Sequence, residues 1–206
     1  MKRKIIGIFV CSLLITTILP ITDTVIAGDE DDPEITDSER DIVGPLEFSV
    51  LPNVLYPIFH NIDILSGWFH ENPEDPSVLL VSLKVHVLTF RSLLNTYVVW
   101  WRYNDVDYFA LFNTHTNGGF QVAAAGYFDE TGEYGETVAF SLDHNKNIIT
   151  FTVPKTVIGN PGPGDVLEYP WIWTAARFQN QFLSRLYSGE LGKDYTNPGR
   201  SYVIQY

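Results

Sequence analysis

From Val78 to Leu88 the chain alternates: Leu79, Val81, Leu83, Val85 and Val87 share one face, and Ser82, Lys84 and His86 the other. A period of two predicts a strand buried on one side. The pattern returns along the chain. Thr96–Arg102 is β-branched and aromatic, Asn104-Asp105 reads as a turn, and Asp107–Asn113 as the hairpin partner. Phe120–Phe128 is a further strand, entered through Asn117-Gly118-Gly119. Thr137–Leu142 sets Val138, Phe140 and Leu142 on one face, Asp143–Asn147 is a turn cluster, and Ile148–Val153 returns with Ile149, Phe151 and Val153 inward. Residues 169–176 and 201–206 read as two more strands, and 177–187 as one short helix near the C-terminus. Pro45, Pro52 and Pro57 deny residues 44–60 a helix or a central strand and predict an irregular or edge segment over the core. The regular strands are expected to begin only after the turn-rich stretch 72–76. Short strands separated by turn signals predict an all-β fold, a single antiparallel β-sandwich of jelly-roll-like form. No repeat of solenoid or propeller length interrupts that reading.

The first 27 residues stand apart. Lys2-Arg3-Lys4 precedes an apolar run from Ile5 to Leu19, and Val25 and Ala27 suit the minus-three and minus-one positions of a cleavage site. These are the parts of a secretory signal peptide cut before Gly28. The alternative is an uncleaved apolar anchor, the one route by which this chain would meet a membrane. The expected organisation is a signal peptide at 1–27, an acidic leader at 28–43 and a sandwich domain at 44–206.

Composition narrows the function. The whole chain carries 25 Asp plus Glu against 13 Lys plus Arg. After residue 27 the counts are 24 and 10, a net charge of −14. Phosphate backbones need a basic face, so nucleic acid is excluded as a partner. Cys11 and Met1 are the only residues of their kinds, and both precede Gly28. An exported domain without cysteine has neither disulfides nor thiol catalysis nor Cys-ligated metal. His60, His70, His86, His115 and His144 fall in no zinc spacing. The P-loop, the dinucleotide glycine motif and G-x-S-x-G are all absent, which argues against a nucleotide cofactor and serine-hydrolase chemistry.

Asp32–Asp37 (DPEITD), Ile62-Asp63-Ile64 followed by Trp68-Phe69, the alternating strand Leu79–Leu88, Asn147–Lys155, Gly162-Pro163-Gly164-Asp165 and the terminal YVIQY together resemble secreted archaeal β-sandwich proteins. The pattern is similar to family 9 carbohydrate-binding modules and DOMON-like domains. It spans most of residues 32–206, in pattern more than in identity. The resemblance implies a jelly-roll-like sandwich displayed outside the cell, often with bound calcium. The haem of some DOMON-like domains does not fit: no Met follows residue 27 for a Met/His pair, and nothing marks a bis-His pair.

Two kinds of candidate site follow. On a strand, Trp100 and Trp101 point to opposite faces, so one fills the core and the other faces out; Trp171 and Trp173 share a face. Flat rings beside a guanidinium suit sugar faces and hydroxyls. The ligand-binding candidates are Trp101, Arg102, Tyr103, Trp171 and Trp173, against the alternative that these aromatics are core. Eight of the thirteen residues 29–41 are acidic, and Asp32, Asp37 and Asp41 are candidate calcium ligands, against a solvated linker. Asp143-x-Asn145-x-Asn147 also offers alternating oxygens, but as a turn it needs no metal. The expected function is non-catalytic binding of polysaccharide or a cell-envelope component at the cell surface or outside the cell. The alternatives are a purely structural or adhesive envelope module and a small jelly-roll glycoside hydrolase, which needs two facing carboxylates.

Overall fold

The computed structural model describes residues 28–43, 59–89, 93–114, 121–178 and 192–206. Twelve strands are described: β1 (Ile35–Thr36), β2 (Ile64–Asn72), β3 (Asp75–Val85), β4 (Leu93–Tyr103), β5 (Val106–Thr114), β6 (Gln121–Asp129), β7 (Gly132–Thr137), β8 (Ala139–Asp143), β9 (Ile148–Pro154), β10 (Val166–Phe178), β11 (Gly192–Tyr195) and β12 (Tyr202–Val203). They form two antiparallel sheets, β1-β2-β3-β9-β8 and β11-β10-β4-β5-β6-β7, with β12 paired to the start of β10. The chain crosses between sheets three times, after β3, after β7 and after β9. Those crossings set β9 beside β3 and β10 beside β4, the long-range pairing of a Greek-key sandwich.

Local chemistry closes each hairpin. Asn104 and Asp105 both hold positive φ, 49° and 61°, and join β4 to β5 in a two-residue turn whose twist matches that of the strands. Asn147, at φ 62°, ends the turn before β9; its side chain accepts the Leu88 amide and donates to the His86 carbonyl. The turn reading of Asp143–Asn147 is thus the one realised, with Asp143 accepting the amides of Asn145 and Lys146. The expected strand 137–142 is two elements. Thr137 ends β7 in one sheet, Val138 is buried, and β8 continues in the other sheet with Phe140 and Leu142 against the core.

Strands begin earlier than expected: the two-residue β1 lies at Ile35–Thr36, and the first long strand starts at Ile64. β2 does not alternate, because it is buried along most of its length. Gly67 lies so close to the opposite sheet that a Cβ there would meet Ile172 Cδ1 at 2.5 Å. The core joins Leu79, Val81 and Leu83 of β3 and Ile149, Phe151 and Val153 of β9 to Tyr97, Val99 and Trp101 of β4 and Tyr108, Ala110 and Phe112 of β5. Phe69–Trp101 (5.5 Å) and Phe112–Phe140 (4.9 Å) ring contacts bridge the sheets. Burying each such side chain contributes about 1.5–3 kcal/mol.

The acidic leader is part of this body. Glu30 reaches Lys84 (2.9 Å) and Lys146 (3.0 Å), Asp32 pairs with Arg200, Ile35 is fully buried in β1, and Val43 bridges Lys193 beside β11. The expected helix at 177–187 and cover at 44–60 lie largely outside the described residues, as do the signal segment 1–27, His115 and the Gly118-Gly119 loop. Arg177 and Phe178, placed in that helix by sequence, close β10 instead.

Candidate functional site

Strand β10 is interrupted by a bulge. Glu168 pairs with Arg102 but Trp171 with Trp100, so three steps on β10 oppose two on β4. Tyr169 takes up the extra residue at φ 50°. The insertion reverses the phase of the strand: Leu167 before it and Ile172 after it both enter the core. Trp171 and Trp173 are thereby turned to the outer face.

On that face Trp171 stacks on Trp100 (centroids 5.8 Å, interplanar 9°). Trp100 in turn contacts Phe128 at 5.0 Å and Phe109 at 5.6 Å. Phe109 lies over Gly135, where a Cβ would come within 3.2 Å of its ring, so a glycine makes room for the aromatic row. In the next row of the sheet Arg102 donates through Nε and Nη2 to both oxygens of Asp107 (2.8 and 3.1 Å). Tyr169, 60% exposed, and Pro198 complete the wall of an open depression of about 410 Å³. Its floor is indole and phenyl and its rim is a charged pair. The Asp107 contacts use two of the five guanidinium N–H donors. The depression thus sets apolar ring faces beside polar edges.

The sequence candidates separate by face. Arg102 and Trp171 line the depression. Trp173 is outside it, on the same face, paired with Val98 and Tyr195. Trp101 borders it from β4, but its ring is core, 1% exposed, between Phe69 and Tyr108. Tyr103 also faces inward, its hydroxyl donating to Asp165 at 2.7 Å. Trp100, Phe128 and Asp107 take the places that the sequence reading assigned to Trp101 and Tyr103. The signal was present: Arg102 must face solvent, and residue 100 shares its side of the strand.

Beside the start of β2, ligand oxygens of Asp37, Asp41 and Asp194 lie within 4.8 Å of one another. Asp194 is 2% exposed; its Oδ2 accepts the Ile64 amide and its Oδ1 the Tyr195 amide. Burial pushes its carboxyl up to about 7, with Asp37, Asp41 and Asp63 adding to the rise. Burial likewise pushes Asp37 up to about 6. Asp37 Oδ2 is buried with no hydrogen-bond partner. Fully buried Asp63 accepts the Arg40 amide nearby. Like charges brought together away from water resist ionisation, and hard oxygen donors at this spacing fit a divalent metal ion that would relieve the cost. Asp32, the third candidate from sequence, is elsewhere, paired with Arg200 at 2.8 Å. Asp194 had no sequence signal, because it comes from β11, far along the chain.

No protein-family model matches the chain, and no curated protein matches it closely enough to count as a relative.

Proposed function

We propose that this protein is an exported, cell-surface β-sandwich module that binds carbohydrate without transforming it, on the outer face of its larger sheet. The observation that carries the reading is the Trp100–Trp171 stack beside Phe128, set against the Arg102–Asp107 pair in one open depression. Apolar rings give area to the C–H faces of pyranoses, and the guanidinium supplies donors to hydroxyls. Export follows from the signal pattern at 1–27. Calcium at Asp37, Asp41 and Asp194 belongs to the same proposal as a structural ion, holding the leader to β11.

One carboxylate, Asp107, is among the described lining residues, and Arg102 holds it. That favours binding over a glycosidase mechanism, which needs two opposed carboxyl groups. The test is a pull-down of the exported protein on insoluble polysaccharides and on envelope material, read together with tryptophan fluorescence. Binding that changes the fluorescence and is lost in Trp171→Ala supports the proposal. Retention on envelope material alone, unaffected by that substitution, supports the adhesive alternative.

A further inference from the structure

Gly28 is buried, and a Cβ built on it would fall 2.1 and 2.2 Å from the two carboxylate oxygens of Glu34 and 2.4 Å from its Cδ. The carboxylate therefore occupies the space that any side chain at position 28 would need. Standard bond lengths then place the Gly28 nitrogen no more than about 5 Å from Glu34 Oε2. Glu34 itself is 5% exposed, and Oε2 accepts the Phe69 amide at 2.9 Å. Burial is the main reason its carboxyl rises to about 7. Arg200, the cation that faces it, is engaged with Asp32 at 2.8 Å. Residue 28 is not on a loose tail. Asp29 Oδ1 accepts the amides of Asp31 and Asp32, and Glu30 is tied to Lys84 and Lys146.

The same position follows the Val25-x-Ala27 pattern at which sequence predicts the leader to be cut. We propose that cleavage between Ala27 and Gly28 completes the fold: the new α-ammonium of Gly28 forms a buried ion pair with the Glu34 carboxylate. A peptidase of the export machinery supplies the catalysis and one water molecule is consumed. Ala27 leaves with a carboxylate and Gly28 gains an amine that takes up a proton. An uncleaved chain keeps a neutral amide at that nitrogen, which has one N–H in place of three and no charge to offset the carboxylate. The ammonium anchors the residues before β1, and with them the edge of the smaller sheet. A side chain at 28 would have to displace the Glu34 carboxylate from this position.

The inference rests on the export reading, and two measurements separate its parts. The full chain is expressed in an exporting host and the intact mass of the product is measured. A product beginning at Gly28 is expected; an uncleaved chain or another start overturns the proposal. The α-amine of that product is then labelled near neutral pH with a limiting amine-reactive reagent, native and in urea. An ammonium held by a carboxylate has a raised pKa, and one unit leaves about tenfold less free amine. Labelling slowed at least about tenfold in the native protein is expected, with the protection lost in Glu34→Gln. Equal labelling native and unfolded overturns the ion pair even where the cut is at Gly28. Protection that survives in folded Glu34→Gln overturns it too. If Glu34→Gln does not fold, the native-against-urea comparison of the wild-type protein decides.

Discussion

Trp100 and Trp101 are neighbours in the chain and lie on opposite sides of a sheet, so the same substitution has different consequences at each. Trp101→Ala empties a core position between Phe69 and Tyr108 and should cost about 3–5 kcal/mol. Trp100→Ala removes a partly exposed ring from a stacked row and should cost about 1–2 kcal/mol. Chemical unfolding of the two variants measures the difference, and ligand binding should fail in Trp100→Ala while the protein stays folded. Glu34 gives a pH-dependent prediction. Its folded pKa, about 7, lies above the ordinary 4.5, so the folded state holds the proton more tightly. Where residue 28 is still in peptide linkage, this group's contribution to stability is full below about 4.5 and is lost as pH rises through about 7. Arg200, Asp32 and Tyr202 are the other titratable or charged groups coupled to it. Thermal unfolding of an uncleaved chain between pH 4.5 and 8 should show that decline, to which the raised Asp37 and Asp194 carboxyls add, and Glu34→Gln should make it shallower.

At the scale of elements, one residue in β10 decides what the outer face is made of. Strand alternation was legible in β3, β8 and β9. β4 and β5 were legible instead from β-branched and aromatic content around the Asn104-Asp105 turn, because their outer side is itself apolar at Val98, Trp100 and Phe109. Alternation was not legible in β2, which is covered on both sides, or across the β7–β8 junction, where one continuous run serves two sheets. Nor does alternation place Trp171 and Trp173, because a bulge shifts the phase by one and only pairing with β4 reveals it. Deleting Tyr169 should restore two-for-two register and force Leu167 or both indoles to change sides. The expected loss is about 3 kcal/mol or more, or failure to fold. Tyr169→Gly keeps the left-handed residue and should leave the urea midpoint nearly unchanged, apart from what the exposed ring contributes.

Across the whole molecule, charged side chains tie distant segments to the sandwich. Lys155, buried in a 3-10 turn after β9, donates to Glu71 of β2 at 2.5 Å and to the Tyr206 carbonyl; Glu71 also accepts from the Tyr202 hydroxyl and the Gln205 amide. Lys155→Met strands a buried carboxylate and should cost about 3–5 kcal/mol. Adding Glu71→Gln should recover part of that, since a neutral amide still accepts from Tyr202 and Gln205. The acidic cluster brings Asp37 and Asp41 of the leader to Asp194 of β11, where a bound cation would be needed to hold them together. If calcium occupies it, calcium at about 100 times its dissociation constant should add about 2.7 kcal/mol. In scanning calorimetry a chelator should then lower Tm by roughly 5–10 °C, a response absent in Asp194→Asn. The all-β class, the hairpin turns, most strand positions and the presence of an outward tryptophan at 100–101 are all written in period and turn chemistry, which act over a few residues. The stacked aromatic row, the meeting of Asp37 and Asp41 with Asp194, and the carboxylate over Gly28 were decided only in three dimensions. Each depends on register between strands or on contact between residues far apart in the chain, and local pattern carries no record of either.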